Sequence, residues 1–178
     1  MRRWLETEAT GKRMCGFIVA FALGGFVYAT LVVMFFHSLE VWLPLVVSES
    51  EFEQTPVILL AIGIIFSVVF EEVLFRLVPL AAAVKMECSF PKLMAVIAVS
   101  SVIFGYLHGI LPELQRGEAP DFLLATLFIF IQGVFGFLLS LVFLKCGGYA
   151  GKFKKAFLAS TATHILYNSI PSLFFLLL

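Results

Sequence analysis

Charge is what this chain has least of. Only 13% of its 178 residues are Asp, Glu, Lys or Arg, about half the roughly 25% of a soluble domain. The balance is even as well, 12 basic against 12 acidic residues, which gives no electrostatic hold on a nucleic acid and excludes that class of partner. Cys15, Cys88 and Cys146 are the three cysteines. They show no CxxC spacing, so neither a thiolate metal cluster nor a disulfide framework is expected. The chain also lacks an internal repeat, a low-complexity linker and a glycine-rich phosphate loop. A cleavable signal peptide is not expected either, because the first apolar run is too long and no small-residue cleavage site follows it.

What remains is hydrocarbon. Hydrophobic residues make up 61% of the chain, and the runs at 15–36, 122–144 and 156–178 approach or exceed the ~20 residues that cross a bilayer. Two further spans are expected, from Pro56 to Lys85 and from Pro91 to Pro112, with a kink at Pro79. The short VWLPLVV stretch around Pro44 is expected at the outer interface. The reading is an all-α, polytopic transmembrane bundle of about five spans, forming a single integral-membrane domain over residues 1–178. Arg2, Arg3, Lys12, Arg13, Lys85, Lys92, Lys145, Lys152, Lys154 and Lys155 fall in alternate connections. Glu40, Glu49, Glu51, Glu53, Glu113, Glu118 and Asp121, with a single Arg116, occupy the others, and the positive-inside rule then places the N-terminus in the cytoplasm.

Chemistry must lie in the few polar residues inside the spans. The stretch VVFEEVLFRLVPL holds Glu71, Glu72 and Arg76, and each charge at a bilayer centre costs ~2.5–3.5 kcal/mol unpaired. Glu72 and Arg76 are i and i+4 with the acid first, the favourable arrangement for a pair. Glu71 lies about 100° around the helix and is left over. A carboxyl left over in a low dielectric favours its protonated form, which suits it to general acid–base work; the plainer alternative is a protonated Glu71 hydrogen-bonded to a neighbouring helix.

The other spans offer partners. His108 ends FGYLH, and His164 and Asn168 share one face of HILYN at i, i+4. His37, the third histidine, has no assigned role, and Gln132 is the one strongly polar residue of the fourth span. Glu71, His108, His164 and Asn168 suit a metal-free hydrolase, in which carboxylate and imidazole activate water and imidazole and amide hold an oxyanion. Glu71, His108 and His164 also make a His2Glu zinc set, although no HExxH pair is present. Rise per residue puts His108 about 9 Å to the acidic side of Glu71 and His164.

The ordered set EEVLFR at 71–76, FGYLH at 104–108 and HILYN at 164–168 resembles the motifs EExxxR, FxxxH and Hxxx(N/D) of the CPBP intramembrane endopeptidases, which include the CAAX prenyl proteases and the Abi-like bacteriocin-processing and self-immunity proteins. The resemblance covers residues 57–169, the expected catalytic core, and leaves the first span peripheral. It implies peptide-bond hydrolysis without a cofactor, with Glu71 activating water, His108 as its partner, His164 and Asn168 as the oxyanion site, and Glu72 and Arg76 in support. The chain is shorter than the CAAX proteases, which points to a small member in a bacterial cell membrane cutting a membrane-associated peptide or sorting signal. Two other readings compete: a non-catalytic immunity or scaffold protein using the cluster as interhelical glue, and a proton-coupled transporter, which the missing inverted repeats disfavour.

Overall fold

The computed structural model describes residues 1–38 and 57–177, and among these every regular element is a helix. Helix α1 is Arg2–Glu6 and α2 is Gly11–Ser38. Helix α3 (residues 57–85) joins α-helical Val57–Glu72 to α-helical Val78–Lys85 through a π turn at Val73–Leu77. Helix α4 is Phe90–Gln115, α5 is Phe122–Gly148 with π turns at Ile129–Gly133 and Leu144–Gly148, and α6 is Phe153–Leu177. Three of them, Gly11–Phe35 within α2, α4 and α5, are long and apolar enough to cross a membrane. The all-helical membrane bundle is as expected. VWLPLVV, Pro56 and the acidic run from Glu40 to Glu53 lie outside the described residues.

Two boundaries differ from expectation. Helix α4 continues through Pro112 to Gln115, since a proline near a helix end costs only one bond already close to fraying. Pro79 also acts a turn earlier than a simple kink would. Having no N–H, it strands the carbonyl four residues before it, at Phe75, and its ring crowds that turn. The helix responds by widening, with the N–H of Val78 donating to the carbonyl of Val73. The Ser100 hydroxyl of α4 then donates to the stranded Phe75 carbonyl at 2.7 Å.

Packing sorts the charges into two ends. Leu5 of α1 shares a buried cluster with Leu80 and Ala83 of α3, Leu93 of α4, Phe143 and Leu144 of α5 and Ala156 of α6. The basic ends of all these helices therefore meet. Lys145, expected in a loop, is instead 5% exposed: its ammonium donates to the carbonyls of Trp4 and Thr7 and to Thr7 Oγ1 at 2.7 Å. Glu8 accepts from Lys152 at 2.6 Å and Lys155 at 2.5 Å. At the opposite end Asp121 caps α5, its Oδ1 accepting from the N–H groups of Leu123 and Leu124, an arrangement that contributes about 1 kcal/mol. Glu113 in turn accepts from the Asp121 N–H at 2.6 Å.

Candidate active site

Residues from α3, α4 and α6 meet at Glu71. One oxygen, Oε1, accepts from the Ser67 hydroxyl at 2.7 Å. Its Oε2 lies 3.7 Å from His108 Nε2 and 3.7 Å from His164 Nε2, and is buried without a hydrogen bond to the described residues. Both separations exceed a direct hydrogen bond.

The 9 Å offset between His108 and Glu71 does not hold. Counted from the basic end, His108 is 18 residues along α4 and Glu71 is 14 residues back along α3, an axial difference of about 6 Å. Side chains lean toward the N-terminus of their own helix, and these helices run in opposite directions, so the two lean toward each other.

The tautomers follow from the partners. His108 Nδ1 is 2.8 Å from the Phe104 carbonyl, which can only accept, so Nδ1 carries the proton and Nε2 presents a lone pair toward Glu71. His164 Nδ1 is 3.0 Å from Glu72 Oε1, and the same oxygen is 3.2 Å from Arg76. Paired with the guanidinium, that carboxylate accepts, so His164 likewise holds its proton on Nδ1. The i, i+4 pairing of Glu72 and Arg76 is as expected, at 0% and 1% exposure. The further link to His164, 92 positions away, is not visible in the spacing.

Arg76 needs room and a surface. It lies over the Phe104 ring at 4.1 Å, and a Cβ on Gly136 would come within 2.9 Å of both the guanidinium and that ring. Phe104 also meets His108 at a tilt, with ring centroids 4.3 Å apart, and His164 edge-on at 5.8 Å. Gly105, the next motif residue, brings α4 against α5 backbone to backbone, since a Cβ there would be 2.6 Å from the Gly133 nitrogen. On α5, Gln132 has its partner in Tyr167 of α6.

A cavity of about 480 Å³ opens onto this group, and Ser67, Glu71, His108, Pro112, Gln115 and Asn168 are among its lining. His164 closes the wall behind Glu71 at 1% exposure. All four expected catalytic residues thus come together, with Glu72 and Arg76 beneath them. The zinc alternative draws on the same atoms, with Glu71 Oε2 3.7 Å from His108 Nε2 and from His164 Nε2, although among the described residues no group of three His, Cys, Asp or Glu side chains is placed to hold a metal ion. Ser67 was missed, although its i, i+4 spacing from Glu71 was there to be read. Gly136 left no such signal.

The family described as Type II CAAX prenyl endopeptidase Rce1-like matches residues 53–170, well over half of the chain. No curated protein matches the chain, and no solved structure does. The chain belongs to this Rce1-like family of membrane proteases, the CAAX branch of the CPBP endopeptidases.

Proposed function

We propose that this Rce1-like chain is a glutamate-dependent intramembrane endopeptidase that hydrolyses a peptide bond in the cavity between α3, α4 and α6. The observation that carries the reading is Glu71 Oε2, buried and facing two imidazole nitrogens at 3.7 Å each, on the wall of a cavity of about 480 Å³. A water placed between Glu71 Oε2 and His108 Nε2 gives one proton to Glu71 while its other O–H donates to His108, and its oxygen attacks the scissile carbonyl. Ser67 holds the other carboxylate oxygen, which fixes the rotamer. Asn168 donates its amide N–H to the oxyanion. His164 joins it only when Nε2 is also protonated, and Glu72 beside its Nδ1 supports that imidazolium. Collapse of the tetrahedral intermediate breaks the C–N bond, and the proton held by Glu71 passes to the leaving amine.

The catalytic core is residues 57–169, within a single membrane domain of about five spans. The gathering of the basic residues at one end supports a cytoplasmic N-terminus. The substrate is a membrane-associated peptide or a protein sorting signal, and the setting a bacterial cell membrane.

Glu71→Gln tests the reading. The variant keeps the shape of the carboxyl and its bond to Ser67, so it folds and inserts like the parent while cleavage of a reporter peptide falls by at least about 10³-fold. Full activity in the folded variant refutes the mechanism. Partner protection that survives both Glu71→Gln and His108→Ala would identify the non-catalytic immunity or scaffold alternative instead. Metal content and chelator sensitivity of the purified protein distinguish a glutamate from a zinc mechanism.

A further inference from the structure

A second cavity, of about 670 Å³, lies at the basic end, with Met14, Lys152, Phe153, Lys154, Lys155 and Leu158 in its lining. It is about 15 Å along α6 from His164, and the chemistry proposed above makes no use of it.

Its charge is unbalanced. Glu8 accepts from Lys152 and Lys155, so one carboxylate is set against two ammonium groups. Lys154, exposed on the same rim, has no carboxylate partner among the described residues. An anion is the complement of such an opening.

The floor is hydrocarbon. Leu158 is 58% exposed, Phe153 and Met14 contribute further apolar surface, and Ala159 beneath them belongs to the buried cluster with Cys146 and Val142. A free inorganic anion gains nothing from these side chains. A molecule with a charged head and an apolar tail uses both, and a bilayer is where the apolar helices α2, α4 and α5 place this end.

We propose that this cavity binds one anionic phospholipid, its phosphate among Lys152, Lys154 and Lys155 and its first acyl methylenes over Leu158 and Met14. Basic pockets between membrane helices suit such head groups, each lysine adding to the attraction. The seat joins α6 to the N-terminal segment through Glu8, so a bound lipid clamps the two together.

Native mass spectrometry of the full chain in detergent tests this, with short-chain phosphatidylglycerol and matched phosphatidylcholine as probes and inorganic phosphate as competitor. One phosphatidylglycerol is expected to bind per chain, at least about tenfold more tightly than phosphatidylcholine. Lys154→Glu is expected to abolish that preference. Leu158→Trp, which fills the floor and leaves every charge in place, is expected to weaken binding about tenfold. Equal binding of the two lipids, or a phosphatidylglycerol preference that survives both substitutions, overturns the site in favour of general attraction to a basic surface. Loss in Lys154→Glu alone, with inorganic phosphate competing as well as the lipid, overturns the lipid assignment and leaves a phosphate site.

Discussion

Glu72 Oε1 lies 3.0 Å from His164 Nδ1 and 3.2 Å from Arg76, so one carboxylate oxygen ties α3 to α6 while its neighbour Glu71 faces the cavity. The adjacent acids therefore do separable work, and their amide variants should fail in different ways. Glu72→Gln leaves Arg76 buried without its counter-charge, a loss of about 3–5 kcal/mol. Thermal unfolding in detergent should show a clearly lowered midpoint for Glu72→Gln and a nearly unchanged one for Glu71→Gln. Equal midpoints would mean that Glu72 is not the structural acid.

Ser67 makes a narrower case. Its hydroxyl is a donor to Glu71 at 2.7 Å, and a hydrogen bond to a charged group contributes about 1.5–3 kcal/mol. Ser67→Ala should lower kcat/KM by about tenfold or more with little change in thermal stability, and Ser67→Thr, which keeps the hydroxyl, should recover most of it. An alanine variant as active as the parent would remove Ser67 from the site.

At Gly136 the limit is space. An added methyl group would sit 2.9 Å from the Arg76 guanidinium and from the Phe104 ring, both fully enclosed. Overpacking of this kind costs about 1–3 kcal/mol. Gly136→Ala should therefore lower the unfolding midpoint and reduce activity together through Arg76, Glu72 and His164, and a neutral result on both measures would contradict the tight fit.

The N-terminal dock should respond to acid. Hydrogen bonds from Lys152 and Lys155 hold the Glu8 carboxyl below its ordinary range. A carboxyl lowered in the folded state contributes stability above its unfolded value, about 4.3, and loses it as pH falls through the folded value. The Ala9 amide, which donates to the Lys145 carbonyl at 3.0 Å, reports on the dock. Its hydrogen-exchange protection, corrected for intrinsic rate, should persist from neutral pH to about 5 and decline below 4.3, and Glu8→Gln should show reduced protection already at neutral pH. Unchanged protection in that variant would mean that the lysines do not hold the segment.

Much of the site could be read from spacing along single helices, because i and i+4 share a face whatever the rest of the fold does. That covers Glu72 with Arg76 and His164 with Asn168, and would have covered Ser67 with Glu71. Relations between helices were less accessible. The three motifs imply that Glu71, His108 and His164 belong together, yet an axial count alone set His108 too far away, since it omits the opposed lean of side chains on antiparallel helices. Glu72 reaching His164 and Gly136 admitting Arg76 depend on rotation about each helix axis, which hydropathy does not record when nearly every position is apolar. Lys145 was misplaced for a related reason: a lysine at the end of an apolar run is expected in a loop, and only the docked α1 supplies the carbonyls that bury it.

The Ser100 hydroxyl on the Phe75 carbonyl bears on biogenesis. Hydrocarbon offers no water to a stranded backbone acceptor, and each one left so costs several kcal/mol. Pro79 deprives the Phe75 carbonyl of its usual α-helical donor, and the hydroxyl that serves it belongs to the next helix to be synthesised. Lateral release of α3 as an isolated helix is disfavoured until α4 is beside it, so the pair is expected to enter the lipid as a hairpin. The turn that presents Glu72 and Arg76 is then completed only in chains whose neighbouring helix has already been delivered.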